Sequence, residues 1–189
     1  ERIVSTKRYT MPWQGRNYNR VVLNKNKLLS NFEGADGVKT GFTKKAGRCL
    51  VSSATRNGMR VISVVLNDGP MFEDCAALME QAFSEYTLTQ LAPTSVCGRT
   101  KVIEGKCAEV GLVAAETFYY PLRAGEENSV KIEYSAADYL FAPVEKGLEA
   151  GKFSITLDNQ LLFEGKLYTI NTVGSFGVWD NAKRLIEDF

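Results

Sequence analysis

Asn57-Gly58, set between the runs Arg48–Thr55 and Met59–Leu66, constrains the fold more than any other feature of this chain. A two-residue type I′ connection needs positive φ at both central positions, which Asn and Gly tolerate and most residues do not. The flanking runs are small and β-branched, so the pair predicts adjacent antiparallel strands. Val38–Thr43, short and bounded by glycines, predicts a third extended segment beside them. Asn67-Asp-Gly-Pro70 closes this run. From Met71 to Tyr86 the apolar residues Phe72, Cys75, Ala76, Met79, Ala82, Phe83 and Tyr86 then recur with the three-and-four spacing of one helical face. A stripe of this kind inside a domain is core, so the helix is expected to pack on the sheet.

Past Leu91 the pattern changes. Pro93 and Gly98 break the helical period, and short strands are predicted at Arg99–Glu104, Ala108–Ala115, Ser129–Tyr134, Lys152–Leu157 and Gln160–Thr169. Turn pairs such as Ala124-Gly125 and Asp158-Asn159 separate them at the spacing of a small all-β sandwich or barrel. Residues 1–20, polar and aromatic, predict an irregular loop or hairpin. The fold class is therefore α+β. Residues 1–88 form an antiparallel sheet with a packed helix, and residues 89–178 a small all-β sandwich-like domain. Residues 179–189 open an amphipathic helix, with Asp180 as N-cap and Ala182, Leu185, Ile186 and Phe189 on one face.

Charge and residue types narrow the chemistry. Lys+Arg of 23 against Asp+Glu of 22 leaves a net charge of +1, so bulk charge implies no nucleic-acid partner. The absence of histidine removes Ser-His-Asp and Cys-His nucleophile systems and any His-ligated metal. A lysine-assisted serine mechanism survives that exclusion. Cys49, Cys75, Cys97 and Cys107 show no Cys-x-x-Cys spacing, so no metal and no cofactor is expected. They read as buried small hydrophobes, with a Cys97–Cys107 bridge left open. No apolar run approaches the roughly 20 residues that span a bilayer.

The string Asp36-Gly37-Val38-Lys39-Thr40-Gly41-Phe42-Thr43 carries the chemistry. Neighbouring side chains on a strand point to opposite faces, so Lys39 and Thr40 cannot serve one ligand on a flat central strand. They can on a twisted edge strand whose backbone faces the ligand, where Gly41 removes a side chain at the point of closest approach. Interior glycines weaken a purely structural strand, and Gly37 and Gly41 bracket this one. Asp36 is expected to support the turn before it. Lys44, Lys45 and Arg48 read either as contacts to an anionic ligand or as a solvated charge run. Phe118, Tyr119 and Tyr120 read either as a sugar-stacking surface or as core.

Together with Ala46-Gly47, the Leu-Val-Ser-Ser-Ala strand, the Asn-Gly turn and Arg60-Val-Ile-Ser-Val-Val-Leu66, this string resembles the D-alanyl-D-alanine carboxypeptidases of serine peptidase family S11. These are the low-molecular-mass penicillin-binding proteins. The resemblance extends over nearly the whole chain, with Ala142-Pro143-Val144-Glu145-Lys146-Gly147 the most recognisable string of a β-rich C-terminal domain. It implies that residues 1–88 are the latter part of a β-lactamase/transpeptidase-like catalytic domain. Lys39 would be catalytic, and Lys39, Thr40, Gly41 and Phe42 would bind substrate. The backbone N–H of Phe42 would enter the oxyanion hole. The family's other two motifs, Ser-x-x-Lys and Ser-x-Asn, do not occur in this sequence. The nucleophilic serine is accordingly expected on an upstream part of the same protein, and this chain alone is expected to be inactive. The implied partners are a peptidoglycan stem peptide ending in D-Ala-D-Ala, β-lactams, that upstream part, and a membrane surface met by the C-terminal helix on the outer face of the cytoplasmic membrane. The competing expectations are a non-catalytic peptidoglycan-binding or scaffolding module, which would not depend on Lys39, and a β-lactamase, which would not carry the β domain and terminal helix.

Overall fold

The computed structural model describes residues 2–93 and 95–177, so the helix expected over Asp180–Phe189 lies outside the described residues. The chain divides into two compact units. One holds the residues up to Leu88 together with Pro121–Ala124, and the other Thr89–Tyr120 and the chain from Gly125 onward.

In the first unit, β1 (Arg8–Met11) and β2 (Arg20–Leu23) pair as an antiparallel ribbon, and a single helical turn, α1 (Leu28–Asn31), follows. The three expected extended segments are β3 (Ala35–Thr43), β4 (Gly47–Arg56) and β5 (Met59–Val65), in the order β3-β4-β5 with β3 at an edge. Asn57 and Gly58 join β4 to β5 with φ of 49° and 81°, the two positive values that a type I′ turn demands. The helix α2 (Met71–Glu85) ends one residue short of Tyr86, which is extended and opens β6 (Tyr86–Gln90). Glu73 and Asp74 lie in its first turn, where the helix dipole favours negative charge.

Directly opposed residues of an antiparallel pair share a face. Leu50 with Val65, Ser52 with Ser63 and Ala54 with Val61 therefore turn one side of the sheet toward α2. There Leu28, Leu50, Ala54, Cys75 and Met79 form the core. The two serines are buried because their hydroxyls bond each other at 2.7 Å, and Ser63 also donates to the Cys75 carbonyl at 3.4 Å. Arg56 is held between the Phe32 and Phe83 rings, 4.7 Å from each centroid, and pairs with Glu80 at 2.9 Å. Asp68 is the exception to this satisfaction of polar groups. Among the described residues its Oδ2 has no hydrogen-bond partner, and burial together with Asp74 and Glu73 pushes its carboxyl above the usual range.

The second unit is built on one six-stranded sheet. Its members are β7 (Val96–Ile103), β8 (Glu109–Ala114), β10 (Val130–Ala136), β11 (Tyr139–Phe141), β12 (Glu149–Leu157) and β13 (Gln160–Thr169), ordered β10-β12-β13-β8-β7-β11. β11 runs parallel to β7 and the other pairings are antiparallel. Pairing between β13 and β8 covers only Leu167–Ala114 through Thr169–Leu112, and there the sheet curls over its own core. The curl brings the Thr100 hydroxyl on β7 within 2.9 Å of the Ala137 carbonyl just past β10. Leu112, Phe153, Ile155 and Leu167 fill the interior. Sequence patterning did not anticipate β6, β11 or β9 (Tyr119–Arg123). Each is five residues or shorter, too few to establish a period.

Phe118 belongs to this core, stacked on Phe163 at 4.5 Å and on Tyr120 at 6.3 Å, while Tyr119 is exposed. The core alternative thus holds for Phe118, with Tyr120 half-buried beside it. All four cysteines are free, which corrects the expectation that they are uniformly buried: Cys75 is buried, Cys49 and Cys97 are partly buried, and Cys107 is exposed. The bridge left open does not form for a geometric reason. β7 and β8 pair Val96 with Val113 and Lys101 with Glu109, so Cys97 lies beside Leu112, while Cys107 sits in the connecting turn at the far end.

Candidate active site

The Lys-Thr-Gly string lies on β3, which reaches back to Ala35 rather than beginning at Val38, and whose outer side is a sheet edge. Two anchors place it. Asn26, 3% exposed, donates from Nδ2 to the Gly37 carbonyl at 2.9 Å and accepts from the Leu28 N–H at 3.2 Å, tying β3 to the loop before α1. Asp36 accepts from the hydroxyls of Ser53 and Thr55 on β4 and from Arg60 on β5, whose Nη2 lies 2.8 Å away. Asp36 therefore clips three strands together, a larger role than turn support. Sequence reasoning passed over Asn26, although Asn24-Lys25-Asn26 ahead of Leu28-Leu29 carries the side-chain-to-backbone turn signature that could have revealed it.

Burial works to raise the Asp36 carboxyl, but the hydrogen bonds from Ser53, Thr55 and Arg60 and the Arg60 charge outweigh it and hold the group below the usual carboxylate range. A carboxyl lowered in the folded state contributes stability that is present above its unfolded value and is lost as pH falls through the folded one. Replacement Asp36→Asn is expected to cost about 1–3 kcal/mol at neutral pH. In urea titrations the gap to wild type should close below roughly pH 4. A gap that persists undiminished at lower pH would show that the clip does not depend on charge.

The two glycines differ. A Cβ at Gly37 would stand 3.1 Å from Val4 Cγ2 and 3.4 Å from Ser53 Oγ, a tight fit that these side chains would have to yield to. A Cβ at Gly41 would meet nothing closer than Cys49 at 3.9 Å, and its φ is not positive. The chain's own packing does not require glycine at 41.

Lys39, Thr40, Gly41 and Phe42 line one open depression of about 740 Å³ with Lys25, Arg48, Met71 and Phe72. Lys39 is exposed and its Nζ donates to the Thr40 carbonyl. Phe42 is paired with Arg48 across the β3–β4 hairpin, and Arg48 Nη1 donates to the Gly69 carbonyl at 3.2 Å. Among the described residues, the lining holds three cations and no carboxylate. Of the charge run, only Arg48 joins it; Lys44 and Lys45 are exposed in the hairpin turn and do not. Lys25, Met71 and Phe72 had no signal in the sequence, since they come from separate segments that only folding brings to β3.

Lys-Thr-Gly, here on an edge strand lining a cationic depression, is one of the three motifs of the penicillin-recognising serine enzymes. Comparison with known proteins places the chain within that class. The sequence pattern of peptidase S11, D-alanyl-D-alanine carboxypeptidase, matches residues 1–69, and that of the penicillin-binding protein 5 C-terminal domain matches residues 86–175. D-alanyl-D-alanine carboxypeptidase DacF of Bacillus subtilis is 31% identical over 173 residues, 89% of this chain and 44% of that protein. DacC of Escherichia coli is 34% identical over 167 residues, 83% and 42% of the two chains. The crystal structure of penicillin-binding protein 5 from Haemophilus influenzae aligns with a TM-score of 0.63 and 29% identity, covering 92% of this chain and 51% of that one. The chain belongs to the D-alanyl-D-alanine carboxypeptidases of family S11, low-molecular-mass penicillin-binding proteins with a β-rich C-terminal domain. It spans less than half the length of these curated relatives.

Proposed function

We propose that the protein containing this chain is a serine-type D-Ala-D-Ala carboxypeptidase, with residues 1–88 as the latter part of its catalytic domain, 89–178 as its β-rich domain and 179–189 as the start of an amphipathic membrane-surface helix. The observation that carries this reading is the Lys39-Thr40-Gly41 edge lining a depression whose charged side chains are Lys25, Lys39 and Arg48. A stem peptide brings one terminal carboxylate, and such a setting favours it by charge and by hydrogen bonds to an ionised partner. Gly41 fits the same reading: the bare backbone that the chain's packing does not require lets an extended peptide lie against β3.

In this mechanism the nucleophile is a serine on a segment outside this chain. Its oxygen attacks the carbonyl of the penultimate D-alanine, the bond to the terminal D-alanine breaks, and that residue leaves as the protonated amine. Water then hydrolyses the ester and regenerates the serine. Lys39 sets the positive potential near the nucleophile, Thr40 donates its hydroxyl to the carboxylate, and the Phe42 N–H joins the serine's own N–H in holding the oxyanion. One such donor is worth about 3 kcal/mol of transition-state stabilisation. Catalysis of this kind uses no metal or cofactor, and it belongs on the outer face of the cytoplasmic membrane, where the wall peptides are. Among the described residues no helix is long and apolar enough to cross a membrane.

The test is mass spectrometry of the intact protein and of this chain alone after exposure to benzylpenicillin. The expected result is one acyl adduct on a serine outside these 189 residues and none on the isolated chain. An adduct on a serine of this chain would overturn the assignment of the nucleophile.

A further inference from the structure

Charge is distributed unevenly along this nearly neutral chain. From Arg2 to Phe32 there is no Asp or Glu, yet Arg2, Lys7, Arg8, Arg16 and Arg20 lie on or beside the β1–β2 ribbon and Lys25 and Lys27 follow it, in a chain whose net charge is only +1. All seven are exposed. Among the described residues no carboxylate forms an ion pair with any of them, whereas Arg56, Arg60, Arg99 and Arg123 are each paired. Crowded cations left without counter-charges disfavour the compact state, and they also draw in anions. The strip continues to Lys25, which lines the depression at β3.

The register shows what kind of anion this surface suits. Arg8 opposite Leu23 and Thr10 opposite Val21 occupy one face of the ribbon; Tyr9 opposite Val22 and Met11 opposite Arg20 occupy the other. Each face mixes one guanidinium with apolar groups, so neither offers the single apolar side by which an element lies in a lipid interface. Trp13 is already engaged: the Arg20 guanidinium lies 5.8 Å from its ring centroid and Tyr18 meets it edge-on at 5.7 Å. That contact sets one guanidinium of the strip beside an aromatic ring. Arg8 and Arg20, three register steps apart on opposite faces, are separated by about 10 Å along the ribbon. Beside them a depression of about 760 Å³, lined by Arg2, Thr6, Tyr9, Val22, Leu23 and Asn24 among others, has room for an uncharged repeat unit.

We propose that the β1–β2 ribbon is a docking surface for a flexible linear polyanion of the phosphodiester-linked polyol type, which can engage both faces where a flat membrane cannot. Guanidinium forks match phosphate oxygens two at a time, and the polyol hydroxyls between phosphates can meet Thr6, Tyr9 and Asn24 in the lining. This inference is independent of the carboxypeptidase reading, because its readout is binding alone.

The experiment titrates fluorescently labelled poly(glycerol phosphate) with the purified protein across a range of NaCl. Affinity should fall linearly with salt on a log–log plot, as for any polyanion that releases counterions. Reversing two ribbon charges, Arg8→Glu with Arg20→Glu, is expected to weaken binding by roughly ten-fold or more at about 50 mM salt and to flatten the slope. The milder Arg8→Gln with Arg20→Gln should lose part of the affinity, and unchanged melting curves will verify that both variants fold. Lys131→Glu with Lys146→Glu, exposed positions in the second unit, makes the same change in net charge and should leave binding within about two-fold. Equal loss in both double charge-reversal variants, absence of binding at low salt, or equally tight binding of phosphatidylglycerol vesicles or single-stranded DNA would each overturn the proposal.

Discussion

Replacing Lys39 by alanine in the intact protein is expected to slow acylation by benzylpenicillin about a thousand-fold, with no measurable change in melting temperature. Two physical arguments set this pair of outcomes. Lys39 is exposed on an edge strand, and among the described residues its ammonium bonds only the neighbouring Thr40 carbonyl, so its loss opens no cavity and strands no buried group there. Exposed substitutions of this kind stay within about 0.5 kcal/mol. The role proposed for it is different in scale, because a cation placed where charge develops would act in a site from which substrate excludes water, and such groups are worth factors of roughly 100 to 10,000. Lys25 and Arg48 line the same depression and preserve attraction for the carboxylate, so the rate of acylation should fall further than the affinity. The discriminating measurement is the second-order acylation constant resolved into binding and chemical steps. An unchanged constant would remove Lys39 from the site, and a loss confined to the binding step would make it a binding cation only.

Phe153→Ala should be the most damaging single truncation in the second unit, at about 3–5 kcal/mol. Phe153 is 1% exposed at the centre of β12 and lies 5.9 Å from Phe163. It sits directly opposite Gly165 on β13, and a Cβ at Gly165 would come within 2.4 Å of the ring. The ring thus occupies space that its cross-strand partner vacates. Gly165→Ala should fail for the opposite reason, overpacking, at about 1–3 kcal/mol. Chemical denaturation monitored by far-UV circular dichroism reads both. A loss below about 1 kcal/mol for Phe153→Ala would mean that the curled sheet collapses into the void and that its core is not organised around this ring.

Legibility in the sequence followed the range of the interactions. The β4–β5 hairpin was readable because Asn57-Gly58 determines its own φ angles, and α2 because its apolar stripe repeats over 15 residues. The second unit was readable as β-rich from its turn pairs, but not as one sheet folded over on itself, since the short β13–β8 pairing and the parallel β11 join segments far apart in the chain. Cys97 and Cys107 show the limit most plainly. Ten residues apart, they invite a bridge, and a register set by β7 and β8 keeps them at different ends of the hairpin.

For the site, the sequence alone determined what depends on local backbone chemistry: an extended Lys39-Thr40-Gly41-Phe42 string and a tight turn holding the adjoining strands in register. Tertiary structure alone decided what surrounds that string, because Lys25, Arg48, Met71 and Phe72 come from a loop, a facing strand and a helix start with no periodic relation to it. It also turned Asp36 from a turn residue into a clip across three strands. The physical reason is the same in each case: turn geometry and side-chain alternation are set by neighbours in the chain, whereas charge and shape around an edge strand are set by whichever segments the burial of Leu50, Cys75 and Met79 draws together.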